Sequence, residues 1–259
     1  MLAGFAGGAG VGLLGTAIVG MRMPFIGVCL AHSAMAGAVL AELVGIPRYP
    51  VSVAFSILAS AVLADFLDRT DIEAESASAI MFSLMMGLAF LGIGIAPEGK
   101  SELLTLLWGS LLFVDKKDLL LILFTTLILM AFFAFFNKEL KAMLFSPKIA
   151  KACGIRYGTV LILFLVLGGG VVTVNLSTVG GLMLYSLMTN PPATAIQICN
   201  SWRSLLLVSM MLGVVSAVGG FLVSYFFHLP TGACIVILSS FLFLLGLIYK
   251  KTSGEVTRR

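Results

Sequence analysis

Charge is what this chain has least of. Lys, Arg, Asp and Glu make up 11% of its 259 residues and apolar types 60%, whereas a soluble domain is about 25% charged. So few charges cannot cover a 27.4 kDa globule in water, and so much apolar surface excludes disorder. Residues 1–21, 23–41, 76–97, 119–137, 157–202 and 204–249 contain no Asp, Glu, Lys or Arg at all. Stretches of about 20 such residues span a bilayer as helices. Cysteine is also sparse: four residues, at 29, 153, 199 and 234, form no CxxC pair, so neither a disulfide framework nor a zinc ribbon is indicated. The first apolar stretch has no basic segment before it and reads as a membrane helix rather than a signal peptide. HExxH and GxSxG are missing, as is any pair of carboxylates within a span. No enzymatic chemistry, bound cofactor or nucleic-acid contact is therefore expected of this chain.

The chain has instead a succession of apolar windows, which predict helices near 2–20, 25–45, 50–66, 76–95, 119–136, 157–174, 176–189, 205–227 and 231–249. The fold class expected is all-α, a polytopic membrane bundle of eight or nine transmembrane helices. Residues 1–250 form one domain and 251–259 a short cytoplasmic tail. Segment 102–114, with Trp108-Gly109-Ser110, is apolar but short and reads as interfacial unless it crosses. Lipid gives helices no hydrophobic reason to associate, so small residues must allow close approach. Gly4, Gly8 and Gly12, and again Ser216, Gly220 and Ser224, recur every four residues in this way.

Nine of the 16 basic residues lie in 137–156 (Lys138, Lys141, Lys148, Lys151, Arg156) and in the tail (Lys250, Lys251, Arg258, Arg259). Both segments are expected in the cytoplasm, with four spans between them. Alternation backwards from 137–156 puts Arg22 and 65–75 on the same side and the N-terminus outside. Gly168-Gly169-Gly170, Asn175, Thr178 to Gly181 and Asn190 to Thr194 are expected to interrupt the helices. Such breaks either line a path, as in transporters, or are kinks of simple packing.

Almost every charged group sits at a helix end, and His32, well inside a span, is the exception; such residues persist there mostly for function. Cys29 precedes it by three positions and shares its helical face; thiolate and imidazole together suit a borderline ion such as zinc. His32 is thus the candidate metal ligand and Cys29 a weaker one. His228 reads as a solvated loop residue, with Pro230 and Gly232 specifying the turn. In 137–156 the fifth helix is expected to continue to Phe145. Ser146-Pro147 then restarts a short basic helix, with Ser as N-cap and Pro at its first position, and Gly154 closes it. Such a helix either anchors to the membrane surface or docks in a partner's groove.

Several blocks together resemble the permease subunits of the ABC-3 family of bacterial zinc, manganese and iron importers. They are Arg22 to Gly27 with Ala31-His32-Ser33-Ala34-Met35-Ala36-Gly37, Leu107 to Leu112, Lys138-Glu139-Leu140 through Gly154-Ile155, Val179 to Leu182 with Pro192-Ala193-Thr194-Ala195, and Leu229 to Ala233. Where the family pattern has acidic residues, this chain has Val28 and His228. The resemblance implies a multi-pass permease of the cytoplasmic membrane that passes a transition-metal ion inward and works as a homodimer or pair. Its partners would be cytoplasmic ATP-binding subunits, which handle the ATP, and an extracytoplasmic metal-binding protein. It also likens 146–155 to the family's coupling helix, with Ser146, Pro147, Lys148, Ala150, Lys151 and Gly154 as ATPase-coupling residues. The competing readings are an ion-coupled secondary transporter of a small cation and a non-catalytic membrane assembly scaffold.

Overall fold

The structure, a computed structural model, describes residues 1–70, 72–95 and 115–252. They form α1 (Leu2–Gly20), α2 (Phe25–Val44), α3 (Arg48–Arg69), α4 (Ala74–Ile95), α5 (Lys116–Phe135), α6 (Asn137–Phe145), α7 (Pro147–Ala152), α8 (Tyr157–Val179), α9 (Gly181–Ile198), α10 (Trp202–Phe227) and α11 (Thr231–Thr252). Among the described residues, eight helices are long and apolar enough to cross a membrane: α1 to α5, α8, α10 and α11. Segment 102–114 and tail residues 253–259 lie outside the described residues.

Helix ends bring the polar loops together on two faces. The ends of α1 and α3, the turn between α1 and α2, the starts of α4 and α8, and α6–α7 line one cleft of about 670 Å³, so Arg22 and Glu73 share a face with the basic 137–156 segment. On the opposite face the Tyr49 hydroxyl, in the first turn of α3, donates to Asp118, in the first turn of α5 (2.6 Å). The start of α5 therefore lies on the face opposite the start of α4.

Several boundaries differ from expectation, each for a physical reason. α3 starts at Arg48 and runs to Arg69, because Pro50 falls in the first turn, where no N–H is needed, and Arg69 pairs with Asp65 one turn back (2.7 Å). α5 begins among charges at Lys116, since Asp115 and Asp118 form a capping box. The glycine triplet does not break α8. Gly168 sits against Leu14 and Gly169 against Ser56 and Ser60 of α3, and Ser60 Oγ donates to the Leu165 carbonyl (3.0 Å). The break falls instead at Gly180, at φ 91°, a conformation open to glycine. Pro191 and Pro192 do not end α9 either. Pro192 has no N–H for the Met188 carbonyl, and that freed oxygen faces Gly15 of α1. Beside it, Asn190 Nδ2 lies 2.8–3.0 Å from the hydroxyls of Ser186, Ser239 and Ser240, a polar seam joining α9 to α11. The turn after α10 is made by His228 itself, at φ 52°, and not by Gly232, which is already inside α11. Ser224 Oγ donates back to the Leu229 carbonyl (2.6 Å).

α1 is the hub, packed against α5, α8, α9 and α10. Its Gly8 and Gly12 face α10 so closely that a Cβ on either would lie 2.6 Å from a carbonyl oxygen, of Gly213 and Ser209 respectively. Ser209 Oγ donates to the Gly12 carbonyl (3.0 Å). Gly220 likewise admits Ile235 of α11.

Candidate functional site

Two places bear on function: the middle of α2 and the basic face. α2 is held tightly, because Gly37 admits the Val51 carbonyl and Phe55 of α3 while Gly92 of α4 admits Val39. His32 is 1% exposed there. Its Nδ1 lies 2.9 Å from the Val28 carbonyl oxygen. A carbonyl can only accept, so Nδ1 carries the proton, and in the neutral ring the lone pair falls on Nε2. Nε2 is buried and has no hydrogen-bond partner among the described residues. Phe82 of α4 meets the imidazole edge-on, with centroids 4.8 Å apart, and Phe25 packs on Phe82 in turn (5.4 Å). An oriented, unpaired imidazole nitrogen can accept a proton or bind a metal ion.

Cys29 is fully buried one turn before it, and its carbonyl accepts from Ser33 Oγ (2.8 Å). Among the described residues no three His, Cys, Asp or Glu side chains gather to hold a metal ion. The structure thus places Cys29 and His32 on the same helix without adding a third such donor.

The basic face is built from α6 and α7. Phe136 separates α5 from α6 with a single non-helical residue, so the fifth helix does not run on without a break. Leu140 and Met143 of α6 are buried, Leu144 lies over Gly20, and Trp202 Nε1 donates to Asn137 Oδ1 (2.9 Å). These contacts anchor α6 to the bundle. α7 then projects. Ser146 is its N-cap by position, although its side chain makes no capping bond, and Pro147 opens the helix. Its end is a Schellman closure, with Gly154 N–H donating to the Lys151 carbonyl and Ile155 N–H to that of Ala150 (3.1 Å each). Gly154 has φ 78°. Ala150 is buried whereas Pro147, Lys148, Ile149, Lys151 and Ala152 are exposed. All six residues singled out from sequence fall in this one turn-helix-turn unit. Sequence reasoning missed its connections: Lys151 Nζ bonds Asp68 Oδ1 of α3 (2.6 Å) and lies 5.3 Å from the Tyr157 ring centroid.

A bundle of membrane-spanning helices with a small helix projecting from its basic face has counterparts among known proteins. The model of the ABC 3 transport family matches residues 1–250. The chain belongs to that family. This ABC 3 protein is similar to the manganese import system permease protein ScaB of Streptococcus parasanguinis, with 26% identity over 95% of this chain and 88% of the relative. It is similar also to the manganese transport system membrane protein MntC of Listeria monocytogenes (27%, 94% and 86%) and to the high-affinity zinc uptake system membrane protein ZnuB of Haemophilus influenzae (24%, 92% and 91%). Its fold matches a chain of PsaBC from Streptococcus pneumoniae in complex with Fab, at TM-score 0.82 and 24% identity over 95% of this chain and 88% of that one. The ABC 3 protein is a multi-pass membrane protein, and the expected all-α bundle is what the structure shows.

Proposed function

We propose that this ABC 3 family member is the permease subunit of an ATP-binding-cassette importer that moves a transition-metal ion, zinc, manganese or iron, into the cytoplasm. The observation that carries this is the family match along residues 1–250, together with relatives named for manganese and zinc import. In this reading the chain sits in the cytoplasmic membrane, pairs with a second copy, and receives its ion from an extracytoplasmic metal-binding protein. ATP is bound and hydrolysed by separate cytoplasmic subunits.

The basic face is the cytoplasmic one, and α7 sits in a groove of the ATPase. Pro147 and Gly154 fix the length of the projection, Lys148 and Lys151 present charge, and buried Ala150 seats it on the bundle. Closure of the ATPase pair displaces α7 and rocks the permease halves, so that access alternates. Inside the bundle, His32 Nε2 is a single nitrogen donor toward the passing ion, its ring oriented by the Val28 carbonyl. Cys29 is the weaker donor. One or two protein donors suit an ion that is handed on, since conduction requires a site that can be left as well as entered.

The test is reconstitution of the chain with its ATPase and metal-loaded binding protein in proteoliposomes. Accumulation of manganese or zinc that requires ATP supports the reading. Equal accumulation without the ATPase would make the chain a secondary transporter, and ATP hydrolysis with no ion moved would remove transport from it.

A further inference from the structure

If α7 receives the stroke of the ATPase, something must hand it to the spans. α7 is only six residues long and packs mainly on its sequence neighbours α6 and α8. Its link to a distant span is the ion pair of Lys151 with Asp68, in the last turn of α3 (2.6 Å). Asp68 reaches a third element as well. A Cβ on Gly158, in the first turn of α8, would lie 3.0 Å from Asp68 Oδ2. The carboxylate therefore rests against the start of α8, where the helix dipole favours negative charge. The Lys151 ammonium, over the Tyr157 ring, closes the cluster. One carboxylate thus touches α7 and α8 from the end of α3, and α3 runs back through the bundle to pack against Gly37 of α2, the helix that holds His32.

We propose that Asp68 is a positioning residue that transmits displacement of α7 to α3 and α8, and so to the helix bearing His32. This rests on the reading of α7 as the ATPase contact. Both partners are about half exposed, 52% for Lys151 and 41% for Asp68, and such pairs add little to stability. Removing the pair leaves the fold standing and uncouples its parts, which separates a transmitting role from a structural one.

The experiment uses the full complex in proteoliposomes, with manganese and zinc as probes, and reads ATP hydrolysed per ion accumulated for wild type, Asp68→Asn, Lys151→Gln, the double variant and Lys151→Arg. Asp68→Asn is expected to keep complex yield and basal ATP hydrolysis while raising ATP consumed per ion about three- to tenfold. Lys151→Gln raises it similarly, the double variant no further than the worse single one, and Lys151→Arg stays near wild type. A wild-type ratio in Asp68→Asn, multiplied effects in the double variant, or Lys151→Arg as damaging as Lys151→Gln would each overturn the proposal. A wild-type complex that hydrolyses ATP but moves neither ion would instead overturn the reading of function beneath it.

Discussion

α1 and α2 differ from α4 and α5 in a way that reverses the habit of soluble proteins. The central stretches of α1 and α2 are 83% and 78% buried, those of α4 and α5 only 22% and 28%, yet the outer pair is the more hydropathic. In water the most apolar helix goes inside. In lipid an apolar side chain gains nothing by going inside, and helices that offer close backbone approach take the centre. α1 carries Gly4, Gly7, Gly8, Gly10, Gly12, Gly15 and Gly20, whereas α5 presents Leu120, Leu123, Phe124 and Leu127 outward.

The strongest way to break the comparison is to give α1 the side chains of α5. Gly8→Leu drives a whole side chain into the Gly213 backbone, and no monodisperse folded chain is expected by size-exclusion chromatography in detergent. Gly8→Ala, whose methyl meets the same carbonyl at 2.6 Å, is expected to cost about 1–3 kcal/mol, read as a lowered melting temperature. A folded, fully stable Gly8→Leu would show that α1 is not held by close approach.

α2 has a second reason to be central, because it bears His32. His32→Ala is expected to reduce metal accumulation about tenfold or more while complex yield stays near wild type. Accumulation of zinc, manganese and iron all unchanged would remove His32 from the path and leave α2 central for packing alone.

A smaller effect is expected at the basic face. Gly154→Ala places a Cβ at φ 78° in open space, so the cost is conformational, about 1–2 kcal/mol. That loss loosens the closure of α7, and the measurement is weaker co-purification of the ATPase with the melting temperature of the bundle nearly unchanged. Unaltered co-purification would mean that the exit of α7 does not set its docking geometry.

The spans themselves were legible because lipid demands long uncharged runs. Boundaries were not, where charge and helix coexist: the capping box at Asp115 and Asp118, and the Asp65–Arg69 pair, hold turns that a hydropathy reading assigns to loop. The glycine triplet and the double proline misled for one reason. A residue that breaks a helix in water is tolerated in a packed span when a neighbour fills the gap, as Ser56 and Leu14 do for α8 and Gly15 does beside Met188. His32 stood out because almost nothing else in the spans is ionisable. Its edge-on partner Phe82, and the meeting of Lys151 with Asp68 83 residues away, belong to tertiary structure and leave no trace in spacing.

The outer helices provide the mildest and sharpest test. Gly87 of α4 lies on an exposed face where, among the described residues, no atom would come within 4 Å of an added Cβ, the opposite of Gly8. Ala is the better helix former by about 1 kcal/mol, so Gly87→Ala in the detergent-solubilised chain should leave the melting temperature equal or slightly raised. The same substitution in the assembled transporter asks what α4 meets there. If lipid covers that face, the small gain persists. If the melting temperature falls only on assembly, a helix of the second copy has come as close to Gly87 as α10 comes to Gly8, and the division between packed centre and lipid-facing rim holds for one chain alone.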